Sequence, residues 1–459
     1  MKNYDMIVIG SGAGASVVEN ALAHDLSVAL VDKGPLGGTC LNLGCIPSKM
    51  LVYPADRIVE IKQAEKFGIQ AEIKDIDFNA IMERMRIKVR DGEMHVRQAI
   101  RLSEDLDFYE GEGHFIGDSA LEVRGKKIRG DKIVIAAGAR PYIPQGIGLE
   151  NVGYLTNESV LGLTVRPRSM IILGGGYIAA EYGHFFSAMG TKVMVLQRNV
   201  RLLPGEEPKV SELLATEMRK RMDILTNTEV VQVRAGGEGC LVTAKEAPSG
   251  KAKEFSAESL LVVAGRQSNS DLLAVDKTGV ETGKKGFIKV DEYLRTNKDN
   301  IWAFGDIIGK QMFRHVANRE ALIAFNNAVH EGKQKMDYSA VPHAIFTYSE
   351  IASVGLREED ARAQYGAEAL LVGSAAYSDV AMGDAMMETA GFAKAILDRK
   401  KGNILGFHII GPHASILVQE VINAMASGGD IRMLARGIHI HPALPEVVPA
   451  VFNNLREIV

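Results

Sequence analysis

The sequence predicts an α/β chain with two doubly wound parallel-sheet units, each built to bind a dinucleotide, and an α+β unit at the C-terminal end. Three observations predict it. A short apolar strand runs into a glycine turn twice: residues 4–9 before Gly10-Ser11-Gly12-Ala13-Gly14-Ala15, and residues 169–173 before Gly174-Gly175-Gly176-Tyr177. The chain has 459 residues, 46% of them hydrophobic and 24% charged, enough for roughly three domains at about 150 residues each. From about Tyr338 the pattern changes to strands (394–397, 404–410) and an amphipathic helix (415–427).

Each strand, tight turn and helix reads as the opening of a Rossmann-like unit. In Gly10-x-Gly12-x-x-Ala15, glycine permits the turn and the close approach of a pyrophosphate, which rests on the positive end of the following helix. Strand 27–31 ends at Asp32, a carboxylate placed to accept hydrogen bonds from an adenosine ribose. Helices are expected at 56–67 and 78–106, a hairpin-like region at 111–132, a strand at 132–137, and a linker at 141–148. In the second unit, segments 229–233 and 240–244 read as a hairpin with the polar stretch 247–253 as its loop; Cys240 lies within it and reads as structural. The units are expected to span 1–144 with 271–337, then 145–270, then 338–459.

Composition narrows the function. Fifty-three Lys and Arg against 57 Asp and Glu leave a net charge of −4, without the positive field that nucleic acid or an anionic membrane surface requires. No apolar run approaches the ~20 residues that span a bilayer, and the first residues lack a signal-peptide pattern, so a soluble cytoplasmic protein is expected. No metal site is expected. Of three cysteines, Cys40 and Cys45 lie five apart in a glycine-rich segment, which in a reducing compartment points to catalysis before structure.

That segment is Gly37-Gly38-Thr39-Cys40-Leu41-Asn42-Leu43-Gly44-Cys45-Ile46-Pro47-Ser48-Lys49. Five residues of regular helix advance about 7.5 Å, whereas bridged cysteines keep their α-carbons within about 6.8 Å. A disulfide here therefore demands a distorted turn, which Gly44 eases, and Pro47 belongs near a helix start. Thiols near a helix N-terminus have lowered pKa values, and a strained disulfide is readily reduced. Two buried free cysteines, or half of a metal site, are the alternatives; no Cys and His pair at ligand spacing supports the second.

With these motifs the chain resembles the pyridine nucleotide-disulfide oxidoreductases, the flavoproteins that include dihydrolipoamide dehydrogenase, glutathione reductase, mycothione reductase and mercuric reductase. Nearly the whole chain takes part: residues 135–141 (IAAGARP), Ala264-Gly265-Arg266-x-x-Asn269, Thr296 with residues 301–306 (IWAFGD), Phe346-Thr347 with Glu350, Val354-Gly355, and His441-Pro442 with Glu446. The resemblance implies that the first turn holds FAD and Asp306 binds the flavin's sugar chain. It also implies that Cys45 faces the flavin, Cys40 attacks the substrate, and Lys49 pairs with Glu181 beside the isoalloxazine. The third unit becomes a dimerisation domain. The cofactor-contacting residues it implies are Gly10, Gly12, Ala15, Asp32, Gly38, Thr39, Ala137, Gly138, Asp306, Gly174, Gly176, Tyr177, Arg198, Arg201 and Gly265.

Thiol-disulfide exchange needs a base for the attacking thiol and an acid for the leaving one. The His441 and Glu446 spacing matches the family's proton-exchanging pair, which reaches the other subunit's disulfide, so an obligate homodimer is implied. His439, two positions away, reads as a packing residue. Ala443 and Pro445 depart from the Thr and Ser of dihydrolipoamide dehydrogenases, and residues 441–448 (HPALPEVV) look closer to mycothione reductases. Strand 192–196 ends in Gln197-Arg198-Asn199-Val200-Arg201, where loss of the usual acid and gain of cations favour NADP(H) over NAD(H). The expected reaction passes electrons from the nicotinamide through FAD and a Cys40-Cys45 disulfide to a small disulfide, either a lipoyl group as in dihydrolipoamide dehydrogenase or a low-molecular-weight thiol disulfide. Two alternatives are a mercuric reductase-like enzyme, disfavoured by the absence of cysteine from residues 452–459, and a non-catalytic FAD-binding subunit, disfavoured by the intact residue set.

Overall fold

Val, Ile and Leu fill the strands before both glycine turns, and burying two faces of such strands requires helices on each side of a parallel sheet. A computed structural model describes residues 1–237, 239–330 and 332–457, so the end of the third unit, 458–459, lies outside the described residues. The first unit contains β1 (Lys2–Ile9), α1 (Gly14–Leu22), β2 (Val28–Asp32), β3 (Leu106–Glu110), β4 (Gly113–Gly117), β5 (Ala120–Val123) and β6 (Lys126–Ile135). Its sheet runs β3-β2-β1-β6-β5-β4, and β16 (Ile301–Ala303) joins β6 in parallel after the chain has passed through the second unit. At the two crossings β7 (Ala139–Pro141) pairs antiparallel with β15 (Arg266–Ser268), and Arg140 clasps Asp271 through two donors at 2.8 and 2.7 Å.

The second unit stacks β10 (Asp223–Leu225), β9 (Lys192–Leu196), β8 (Ser169–Leu173) and β14 (Ser259–Val262) in one parallel sheet, with α5 (Tyr177–Ala188) behind its glycine turn and α6 (Pro208–Arg219) after β9. The meander β11 (Thr228–Gly236), β12 (Gly239–Glu246) and β13 (Ala252–Ala257) lies beside it. The third unit is a six-stranded antiparallel sheet, β17 (Pro342–Ile345), β18 (Ile351–Gly355), β21 (Ile404–Ile410), β20 (Phe392–Asp398), β19 (Leu370–Ala376) and β22 (Arg456–Glu457). No helix of the described residues is long and apolar enough to cross a membrane.

Between β2 and β3 the chain forms α2 (Gly38–Asn42), α3 (Cys45–Lys62) and α4 (Phe78–Leu102). Leu51, Ala55, Ile58, Phe78 and Met82 of α3 and α4 share a core with Phe185 and Phe186 of α5, which fixes the cysteine segment against the second unit. Three expected boundaries move. The helix expected to reach 106 stops at Leu102, and 106–110 forms the edge strand β3, paired with β2 through Phe108 and Tyr109. The helix expected at 56–67 is the end of a longer α3, closed by a 3₁₀ turn at Ala64–Phe67. Residues 247–251 join β12 to β13, while β11 and β12 pair down to Gly236 and Gly239, so the polar stretch closes a later hairpin.

Candidate active site

The two glycine turns place backbone against backbone. Gly10 has φ +105°, and a Cβ there would lie 2.4 Å from the Ala136 carbonyl oxygen; Gly174, at φ +125°, meets the Val263 oxygen at the same distance. A Cβ on Gly38 would fall 2.7 Å from the Gly12 α-carbon, so the cysteine segment abuts the first turn. Ser11 ties them together by accepting the Gly37 N–H at 2.9 Å. Asp32 accepts from Ser11 N–H at 2.6 Å and Gly34 N–H at 2.7 Å, which locks the turn and leaves its remaining lone pairs outward.

Helix α2 ends at Asn42, whose amide caps the loop by donating to Leu36 O at 2.8 Å and Gly38 O at 3.0 Å. The chain breaks at Leu43 and Gly44, where a Cβ would sit 3.0 Å from Thr39 O, and α3 starts at Cys45 with Pro47 in its first turn. The break turns two cysteines five apart to face one another. Cys40 donates a hydrogen bond to Cys45, and that bond most lowers the Cys45 thiol, to about 7; Lys49 and a backbone N–H assist, while burial and Glu181 oppose. The same bond, with burial, pushes Cys40 well above the ordinary thiol range, against the charge of Arg314. The pair therefore favours negative charge on Cys45 and retention of the proton on Cys40. Cys45 remains open to solvent within walls that surround most of it.

Lys49 donates to both oxygens of Glu181, at 2.7 and 2.8 Å, and lies over the Phe346 ring at 4.3 Å. Phe346 N–H in turn holds Glu181 at 3.1 Å, so all three units meet at this pair. Tyr177 begins α5 and stands within electrostatic reach of Arg266, Asp306, Glu181 and Cys45. Burial raises the Asp306 carboxyl, Arg266 opposing, and no described residue donates a hydrogen bond to that carboxylate. Glu320, fully buried on α7 (Arg314–Val329), accepts from Gly305 N–H at 2.7 Å and Tyr338 O–H at 2.5 Å, holding the loop that carries Asp306.

The remaining residues divide. Ala15 N–H caps onto Gly12 O at 3.4 Å, Ala137 O accepts from Asn269 at 2.8 Å, and Gly265 O accepts from Tyr142 N–H at 2.9 Å. Gly138 and Gly176 have nothing within 4 Å of a Cβ position, leaving bare backbone toward the cleft. Arg198 is exposed and makes no hydrogen bond or ion pair with a described residue. Arg201, also expected to contact the cofactor, pairs with Glu359 of the third unit at 3.4 Å. His441 donates to Glu446 at 2.8 Å, and Glu446, lowered mainly by the Ala443 N–H and then by His441, is thereby fixed as carboxylate. The His441 side chain is 73% exposed, and no hydrogen bond joins it to either cysteine within one chain. His439 packs against Glu420 at 3.0 Å. Ser11, Asn42 and Glu320 were not singled out in the sequence; the first two stand inside the quoted motifs, and Glu320 is an acid on the buried face of its helix.

Two family descriptions match the chain: Pyridine nucleotide-disulphide oxidoreductase over residues 4–321, and the dimerisation domain of the same family over 341–451. The chain belongs to this family. It is 36% identical over 468 residues to mycothione reductase of Mycobacterium tuberculosis, covering 99% of this chain and 100% of that protein. To dihydrolipoyl dehydrogenase of Chlamydia trachomatis it is 34% identical over 451 residues, 97% of this chain and 95% of that one. The fold matches the Cu(II) complex of the HOCl-induced flavoprotein disulfide reductase RclA from Escherichia coli, with TM-score 0.87, 27% identity and 99% of each chain covered. Family membership makes the chain an oxidoreductase acting on sulfur groups, with FAD and a nicotinamide as cofactors. The interlocked glycines, the bare Gly138 backbone and the unpartnered Asp306 carboxylate fit FAD.

Proposed function

We propose that the chain is a homodimeric, cytoplasmic NADPH-dependent reductase of a low-molecular-weight disulfide. The observation that carries this reading is the Cys40 and Cys45 pair brought face to face at the break between α2 and α3, beside the Lys49 and Glu181 pair. FAD, when bound, carries two electrons from the nicotinamide to the cysteines. Cys40 gives its proton to His441 of the partner subunit and attacks one sulfur of the substrate disulfide; the new Cys40–sulfur bond forms as the substrate bond breaks, and the leaving thiolate takes that proton back from His441 of the partner subunit. The Cys45 thiolate then attacks Cys40, closing the Cys40-Cys45 disulfide and releasing the second sulfur as a thiolate that takes a proton from solvent. The exposed His441 beside exposed Ile438 and Ile440 supports a partner-completed site. Residues 441–448, with the mycothione reductase relative, favour a small thiol disulfide over a lipoyl group. Arg198 at the strand end favours NADPH. With the reading goes the division into an FAD unit (1–144, 271–337), a nicotinamide unit (145–270) and the dimerisation unit.

Anaerobic NADPH titration tests it: uptake of two electron pairs per subunit with a thiolate-flavin charge-transfer band is expected. Uptake of one pair without that band would leave a flavoprotein whose cysteines take no part. A turnover screen over lipoamide, glutathione disulfide, other biological disulfides and mercuric ion, with both nicotinamides, then identifies the substrate.

A further inference from the structure

Arg314 opens α7 immediately after the loop that carries Asp306. Its guanidinium Nη1 comes to 3.9 Å from the position a Cβ on Gly12 would occupy, in the first glycine turn. The side chain is half-buried and makes no hydrogen bond or ion pair with a described residue, yet its charge reaches Cys40. It therefore stands where the turn and the cysteine segment abut. Two nearby acids are committed elsewhere, Asp32 to two backbone N–H groups and Glu320 to Gly305 and Tyr338, and Asp306 makes no ion pair with Arg314. A guanidinium offers five donors in a planar fork that suits phosphate oxygens, and a half-buried one without a partner is costly.

A diphosphate adds a second consideration. It carries two negative charges, whereas the N-terminus of a helix supplies only about half a positive one. Helix α1 begins at Gly14 with no side-chain cap and no cation in its first turn, and Asp32 adds negative charge beside it. A full cation at this turn would offset the charge that the helix leaves uncompensated.

We propose that Arg314 is a cofactor-binding residue whose guanidinium holds the FAD diphosphate at the Gly12 turn. The inference rests on the family's cofactor and is independent of which disulfide the protein reduces. It predicts that Arg314 contributes affinity through the phosphates and not through the flavin ring.

The test uses the FAD-free protein, with dissociation constants read from flavin fluorescence and no turnover involved. Arg314→Gln should weaken FAD binding about 10- to 100-fold and flatten its salt dependence, as expected for loss of a charge-assisted contact. Riboflavin, which lacks both phosphates, should bind the variant as it binds the wild type. Arg314→Lys keeps the charge without the fork and should fall between the two, and it decides the matter if the Gln variant does not fold. FAD affinity within threefold of wild type in Arg314→Gln, unchanged FAD affinity in Arg314→Lys, or a loss shared equally by riboflavin would overturn the proposal.

Discussion

At the first glycine turn Gly10 N–H donates to Val31 O at 2.8 Å, and Ala136 N–H reaches back to Ile9 O at 2.8 Å. At the second, Gly174 N–H donates to Leu196 O at 3.0 Å and Val263 N–H reaches Leu173 O at 2.9 Å. The backbone solution is the same, repeated 164 residues later (174 − 10). The residue at the end of the second strand differs: Asp32 closes β2 in the first unit, and Gln197 follows β9 in the second. The surroundings differ too, since Gly38 closes on Gly12 whereas Gly176 stays open. On the proposed reading one scaffold serves two dinucleotides, and the side chains at the strand end and the segment that follows separate their roles.

The sharpest way to break the comparison is to disable the chemistry while leaving both turns intact. Cys45→Ser should abolish disulfide reduction, because a hydroxyl cannot form the disulfide, while FAD and NADPH affinities stay near wild type. Near-native turnover in that variant would remove the first unit's claim to the redox step. His441→Ala lies outside both turns and should lower turnover about 10²- to 10⁴-fold, the usual worth of general acid-base assistance. Stopped-flow reduction of bound FAD by NADPH should barely change, and Glu446→Gln should cost less. Loss of both half-reactions together with dimer dissociation would instead make His441 a packing residue.

Alanine at the two equivalent glycines breaks each turn by the same means. A Cβ 2.4 Å from a backbone oxygen cannot be relieved by side-chain rotation, and overpacking costs about 1–3 kcal/mol besides the left-handed backbone penalty of about 1–2. Gly10→Ala should therefore yield folded protein whose FAD affinity is lower by about 10²-fold or more. Gly174→Ala should retain FAD and lose NADPH affinity by a similar factor. Calorimetric titration of each cofactor into each variant checks the assignment, and crossed losses would reverse it.

How much of this was legible follows the range of the interactions. The glycine turns, the strands before them and the cysteine spacing are local patterns, and the break at Gly44 follows from the reach of a disulfide. The end of α4 was misplaced because Ser103, Glu104 and Asp105 carry the only local signal to stop, while Phe108 and Tyr109 gain a strand from pairing with distant β2. Glu320 was invisible because its partners are a loop N–H and a tyrosine set by tertiary packing. The pairing of Arg201 with Glu359 was not legible either, because nothing nearby in sequence announces a partner 158 residues on. His441 and Glu446 were legible by spacing, yet one chain leaves the histidine facing outward.

The strand ends offer a subtler distinction. Arg198 is free to meet a 2′-phosphate, whereas Arg201 is engaged by Glu359. Arg198→Ala should raise the NADPH Michaelis constant about 10-fold or more, within the range of one charge-assisted hydrogen bond, and leave NADH nearly unaffected. Arg201→Ala should do less. Equal losses for both nicotinamides would assign the arginines to structure and return the preference to NADH.

The smallest effect concerns the link between the two units, where Lys49 comes from the first and Glu181 from the second. Both act on Cys45, in opposite senses: Lys49 lowers its thiol and Glu181 raises it. In the FAD-free, two-thiol protein the Cys45 thiol lies at about 7, against about 8.5 for an ordinary cysteine. Thiolate prevails above that pH, so alkylation by iodoacetamide should be lost as pH falls through about 7, with the label mapping to Cys45. Cys40 supplies the hydrogen bond that stabilises the thiolate and stays protonated. Lys49→Met should move the midpoint up and Glu181→Gln should move it down, each by a modest amount because the Cys40 hydrogen bond is the larger influence. Peptide mapping across a pH series measures both shifts. Movement in the same direction would mean that the variants disturb the loop rather than the charge, and that the pair crossing from one unit to the other does not tune the thiol.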